Sequence, residues 1–292
     1  VFLMRKILTT WFCMLMAASI VVAEPILTEE AKCLEKGNME IGLSVSYGVD
    51  AWTIKDQTGS PDYKVSLLKA ELPVKYGVSE NLQLGLNIPY RSWKLEIDPD
   101  PSNLSDNDSG IGQIAVNGKL GLSENFALGL DIQSATGYVD KSLGEGTNAG
   151  LNLIVSGNLD PLKISGNAGY LLKMKYEDKD KTEWNPGDPL IVRGAVEYPM
   201  KEYSLIGEAQ FQSFGKTKYT PNGGTETDWE DSNGSTIDLL VGGQYLKDAT
   251  KLKLGFGLAA GDEDYRAGNG LFQFYDSWDW KVILSGSYKF EI

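Results

Sequence analysis

The side chains best placed to do chemistry in this sequence are charged residues set at alternate positions within apolar stretches. From Asn81 to Tyr90, Leu82, Leu84, Leu86, Ile88 and Tyr90 fall on one face of an extended chain. Gln83, Gly85, Asn87 and then Arg91 fall on the other, because successive side chains of a strand point to opposite sides. The same register puts basic Lys69, Lys75, Arg91, Lys119, Lys163, Lys173, Lys175, Arg193, Lys253, Lys281 and Lys289 on the polar face. Acidic Glu40, Glu71, Asp131, Glu197, Glu208, Asp238 and Asp279 join them there. Fixed charges of both signs around a shared interior select solutes by sign and hydrogen bonding, or pair with one another and fill space. Arg91, Asp131, Arg193, Glu197 and Glu208 are the candidates for a constriction, since they sit mid-strand or near one end of their strands. Lys119, Lys173 and Asp238 complete the set expected to line the interior.

Bond-making chemistry has no comparable support. The chain has no histidine, which removes Ser-His and Cys-His nucleophile pairs, the usual general base and His metal ligands. No Gly-x-Ser-x-Gly elbow or phosphate loop occurs, and Gly255-Phe-Gly-Leu-Ala-Ala-Gly misses dinucleotide-binding spacing. Acids gather at Asp98 to Asp108, Glu177 to Asp180, Glu226 to Asp231 and Asp262 to Asp264. These read as solvated loop surface, or as carboxylates that bridge lipopolysaccharide phosphates through divalent cations. Asp98-Pro-Asp-Pro-Ser lacks the Gly and distal Glu of a calcium loop. No catalytic residue, metal site or cofactor is assigned, and the chain is read as a non-enzyme.

The elements that would position the charges are short and repetitive. Phe126-Ala-Leu-Gly-Leu-Asp-Ile-Gln, Leu151-Asn-Leu-Ile-Val-Ser, Leu252-Lys-Leu-Gly-Phe-Gly-Leu and Trp278-Asp-Trp-Lys-Val-Ile-Leu all alternate with period two. Compact connections at Ser79-Glu80-Asn81, Ser123-Glu124-Asn125, Asp160-Pro161, Met200-Lys201-Glu202 and Lys247-Asp248-Ala249 suit hairpins. Long connections lie between them, over 55–62, 98–109, 138–147, 177–187, 220–233 and 261–275. Short and long connections in strict alternation predict an all-β, transmembrane, antiparallel up-and-down β-barrel of outer-membrane type with about twelve strands. Tyr76, Tyr90, Phe126, Tyr198, Tyr203, Tyr245, Trp278, Trp280 and Tyr288 are placed to form the two interfacial girdles. The rival is a soluble sandwich or propeller built from many hairpins.

Arg5 and Lys6, the apolar run from Ile7 to Val22 and the small residues before Glu24 predict a cleavable signal peptide over 1–23, with Val1 to Leu3 read as an upstream start ahead of Met4. A periplasmic lead over 24–37 then precedes a barrel over 38–292. Beyond Ala23 no window approaches the roughly 20 apolar residues of a spanning helix. Cys33 is the one cysteine left after cleavage, so no internal disulfide is expected. Without Arg5 and Lys6 the 27 basic residues fall to 25 against 40 acids, or −15, which argues against nucleic-acid binding.

Pro25-Ile-Leu-Thr-Glu-Glu, Gly37-Asn-Met-Glu-Ile-Gly, the run from Leu72 to Tyr90, Gly110-Ile-Gly-Gln-Ile-Ala-Val-Asn-Gly-Lys and the Gly144-Glu-Gly turn resemble the outer-membrane transporters associated with the meta-pathway of phenol degradation. Thr28-Glu29-Glu30 and Ala135-Thr136-Gly137 depart from that family's usual Thr-Asp-Asp and Pro-Thr-Gly. The resemblance implies a passive channel for small, including aromatic, organic solutes in the outer membrane of a Gram-negative cell. Its expected partners are outer-membrane lipid, lipopolysaccharide, the solutes themselves and barrel-assembly machinery. Thr28 to Gly37 is expected to plug or flank the pore. The competing expectation is a non-conducting structural or surface-binding barrel whose acidic outer loops bind partners.

Overall fold

The computed structural model describes residues 27–53, 62–98, 106–134, 146–178, 181–222, 224–228, 233–261 and 279–291. Period-two alternation favours strands over helices because only an extended chain sorts such a sequence onto two faces. The first half supplies β1 (Asn38–Thr53), β2 (Asp62–Ser79), β3 (Leu82–Asp98), β4 (Asp106–Ile111), β5 (Ala115–Gly121), β6 (Phe126–Gln133), β7 (Asn148–Leu159) and β8 (Leu162–Lys173). The second supplies β9 (Tyr176–Glu177), β10 (Glu183–Asn185), β11 (Pro189–Met200), β12 (Tyr203–Phe214), β13 (Lys218–Thr220), β14 (Thr227–Asp228), β15 (Gly234–Lys247), β16 (Thr250–Gly261) and β17 (Trp280–Glu291).

The long strands close into one antiparallel ring. Each pairs with its neighbours in sequence, β2 pairs β3, and β1 meets β17 from Asn38↔Glu291 to Val49↔Trp280. Both β4 and β5 lie along β3, the first against Tyr90 to Leu95 and the second against Leu82 to Asn87. They act as one stave interrupted at Gly112 to Ile114, and the ring therefore has twelve staves. Closure pairs the long strands on both sides, which satisfies their backbone groups without water, while β4, at the outer end, is paired with β3 alone among the described residues.

Burial is inverted relative to a water-soluble core. Leu130, Val241, Leu254 and Leu284 are more than half exposed, while Gln210, Glu197, Thr236 and Asp238 are almost fully buried. An apolar outer band of this extent is stable only against hydrocarbon. Aromatic pairs mark its edges: Tyr203 and Tyr245 near one rim have ring centroids 5.0 Å apart, and Tyr47 and Trp280 near the other 5.6 Å. Trp278 lies outside the described residues.

The alternation changes phase at the outer end of β2 and β3. Below it, Leu72, Val74, Leu84 and Leu86 face out and Lys69, Glu71 and Asn87 face in. Above it Lys94 and Glu96 face out, 2.6 Å apart, and Val65, Leu67, Trp93 and Leu95 form an inward apolar cluster. This hairpin therefore leaves the bilayer, where water becomes the outer solvent.

Three details differ from the sequence expectation. The connection predicted over 98–109 is strand from Asp106, as β4. Within the connections over 177–187 and 220–233, β9, β10, β13 and β14 form a separate four-stranded sheet. Its strands pair across distant loops and are two or three residues long, too short to show periodicity. Lys175 is expected in the interior, but it lies between β8 and β9 and pairs with Glu183 of β10 at 2.7 Å. Hydrogen bonds to Glu183 and Glu177 raise the pKa of Lys175 and Lys181 above the usual lysine value.

Candidate functional site: a strap across the lumen

Residues 27–37 cross the inside of the barrel as an extended strap. At the rim where the tight hairpin turns lie, Gly37 has φ 83°, a left-handed conformation that glycine adopts without Cβ strain. Its N–H donates to the Gly77 carbonyl at 2.8 Å. Gly77 has no side chain, and a Cβ there would collide with the backbone of Leu34 and Glu35. The strap therefore enters the lumen over a notch that only glycine leaves open.

From there the strap is held by inward polar side chains. Leu34 N–H donates to Gln83 Oε1 at 3.0 Å, and Lys119 Nζ donates to the carbonyls of Glu30 and Lys32 at 3.0 and 2.9 Å. Ala31 is fully buried against Ala127 and Ile154, and its N–H donates to Ser156 Oγ at 3.1 Å. Asn167 clasps Glu29 in both directions, accepting from its N–H at 2.7 Å and donating to its carbonyl at 3.1 Å. At the far wall Glu208 accepts from Leu27 N–H at 2.9 Å, from Thr28 N–H at 3.2 Å and from Thr28 Oγ1 at 3.3 Å. Backbone donors that would be orphaned in the lumen are satisfied by an anionic acceptor, which makes these bonds the stronger kind.

Behind Glu208 runs a buried relay. Arg193 Nη1 donates to the Leu27 carbonyl at 3.5 Å and its Nε to Gln210 Oε1 at 2.6 Å. Gln210 Nε2 donates to Asp238 Oδ2 at 3.0 Å, which also accepts from Lys281 Nζ at 3.2 Å. Both Asp238 and Lys281 are buried, so the pair is poorly screened and each member depends on the other.

The structure thus joins Lys119, Arg193, Glu208 and Asp238 around one element. None of these hydrogen bonds to the strap involves the remaining candidates, although Glu197 lines a cavity beside Glu30 to Cys33. Arg91 sits higher on β3, opposite Gly110. Asp131 is hydrogen-bonded to Gln133 at 2.9 Å near the outer end of β6. Lys173 ends β8, its backbone N–H donating to Asp188 Oδ1 at 2.8 Å. Glu197 is 1% exposed, and neither carboxylate oxygen has a hydrogen-bond partner among the described residues. Sequence reasoning placed Gln83 on the polar face without making it a site candidate, and missed Ser156, Asn167 and Gln210, which are uncharged, although the alternation puts them on the inner face. It also missed Lys251, two residues before Lys253 on the same face, which lies 3.8 Å from Glu40.

The strap leaves space on both sides. A cavity of about 300 Å³ lies between Leu27 to Glu29 and the wall of β1, β2, β16 and β17. A second of about 620 Å³ lies between Glu30 to Cys33 and the ends of β5 to β8 and β11.

Residues 64–274, well over half of the chain, match the family model described as "Putative MetA-pathway of phenol degradation". The chain belongs to this family. The matched region begins after the strap and β1 and ends before β17. No curated protein matches the chain. Among solved structures, it is similar to an outer-membrane channel from Pseudomonas putida F1, with TM-score 0.69 and 14% identity over 92% of this chain and 100% of that one. It is also similar to a mutant of the TodX monoaromatic hydrocarbon channel, with TM-score 0.52 and 9% identity over 88% and 91% of the two chains. The translocator domain of the autotransporter NalP from Neisseria meningitidis gives 0.50 and 12% over 87% and 89%. At these identities the likeness is one of fold. Together with the inverted burial it makes this family member an outer-membrane β-barrel.

Proposed function

We propose that this barrel is an outer-membrane transporter through whose lumen small organic solutes, aromatic compounds among them, diffuse passively. The observation that carries the reading is the lumen itself, polar and charged on its walls, with cavities of about 300 and 620 Å³ on either side of the strap. Spaces of that size suit a small solute and its water. Membership of a family described by phenol degradation and the printed name of the TodX hydrocarbon channel point to aromatic cargo.

The strap favours a second reading, a barrel that does not conduct, because it spans the lumen from the Gly77 rim to Glu208. Single-channel recording in planar bilayers separates the two. The chain from Glu24 is expected to give small conductance steps, and a chain from Gly37 steps about threefold larger or more, since current follows the open cross-section. Silence from both folded proteins would end the transporter reading.

A further inference from the structure

One inward carboxylate of the wall is unmatched. Glu40 lies 3.8 Å from Lys251, Glu71 3.0 Å from Lys69 and Asp238 3.2 Å from Lys281, while Asp131 accepts from Gln133 and Glu208 from the strap. Glu197 is buried as deeply as Asp238, yet neither of its oxygens accepts a hydrogen bond. Lys163 stands beside it in register on β8 and makes no hydrogen bond to it. On its other side Glu197 meets Ile206 of β12, a buried apolar neighbour. A buried acceptor left without a donor costs free energy that a donor of opposite charge offsets.

The alternation of β11 gives Glu197 its direction. Val196 and Tyr198 are exposed on the outer face, so Glu197 between them points inward. There it lines the cavity of about 620 Å³ beside the strap. Asn125, Asn158 and Ser165 add neutral polar groups to the lining, and the exposed acids Glu80 and Glu124 join it at the rim of tight turns.

We propose that this compartment binds a small organic cation, whose ammonium donates to the carboxylate of Glu197. A primary ammonium brings three N–H donors and a charge, whereas a neutral hydroxyl brings one donor and no charge to set against the carboxylate. A space of about 620 Å³ holds such a head together with a small apolar body. Glu80 and Glu124 draw cations towards the compartment from the rim. Lys163 tunes the site, because its like charge beside the bound ammonium weakens the hold. The site deepens the transport reading and rests on it, naming the charge of one cargo.

The test titrates benzylamine, a primary ammonium at neutral pH, calorimetrically against the detergent-folded chain from Glu24, with single-channel recording in parallel. Glu197→Gln keeps the size of the side chain and is expected to weaken binding about tenfold, the loss of one hydrogen bond between charged partners. Lys163→Gln tightens binding about threefold. Glu202→Gln, at a hairpin turn outside the cavity lining, leaves it unchanged. Benzyl alcohol, the neutral counterpart, binds at least about tenfold more weakly than benzylamine and does not respond to Glu197→Gln. Benzylamine binding that is absent, indifferent to Glu197→Gln or matched by benzyl alcohol overturns the site, and in a barrel that conducts it leaves the transport reading standing. A silent barrel that binds benzylamine through Glu197 does the reverse.

Discussion

Glu208 is the residue that holds the strap at Leu27 and Thr28. It takes hydrogen bonds from the backbone of both Leu27 and Thr28, and bonds to a charged acceptor contribute about 1.5 to 3 kcal/mol each. Glu208→Ala is expected to release the strap's first residues, seen as faster protease cutting of the N-terminal segment and larger current steps, with the barrel still folded by circular dichroism. Asp238 behaves differently, since its partner Lys281 is buried with it. Asp238→Asn leaves a buried ammonium without its counter-charge and is expected to cost about 3 kcal/mol, measured by urea unfolding in lipid. Replacing both as Asp238→Leu with Lys281→Met restores most of the loss; equal instability of single and double variants would refute the coupling. Both acids could be placed inside from the alternation around them, because facing is a property of local register. Their partners were not legible, since Arg193 reaches Gln210, and Gln210 reaches Asp238, through pairing between strands that no single stretch of sequence encodes.

Hairpins set the register that these contacts need. Lys201 and Asp248 occupy left-handed turn positions, with φ of 40° and 55°. Aspartate tolerates that region better than lysine does. Lys201→Gly is therefore expected to stabilise the β11–β12 hairpin by about 1 kcal/mol, visible as a higher temperature for the gel shift from folded to unfolded barrel. These turns were readable because compact polar breaks between alternating runs have a local cause. The outer sheet of β9, β10, β13 and β14 was not, as its Trp184↔Tyr219 pairing joins two loops with complete strands between them. The strap lies between these cases. Its position ahead of β1 suggested a plug, but nothing in its own residues shows that Gln83, Ser156 and Asn167 wait for it on three different strands.

At the scale of the molecule, solvent sorting explains why a chain with ordinary hydropathy forms a membrane protein. Val241 sits in the outward apolar band at 65% exposure, level with Phe256. Val241→Arg places a charge against hydrocarbon and is expected to cost about 2 to 4 kcal/mol in refolding equilibria with lipid vesicles. The same change in a detergent with thin, mobile micelles costs less. A cost equal in both media would mean that this face does not meet the bilayer core.

The strap joins β1 directly at Gly37 and Asn38, and β1 is also one side of the seam that closes the ring against β17. Its grip on Glu208 bridges 181 positions of sequence. Threading and ring closure are therefore coupled: the segment lies inside the same wall whose first strand it precedes. An open sheet that still lacks β11 and β12 already offers the strap Gln83, Lys119, Ser156 and Asn167, but not its far hold at Glu208.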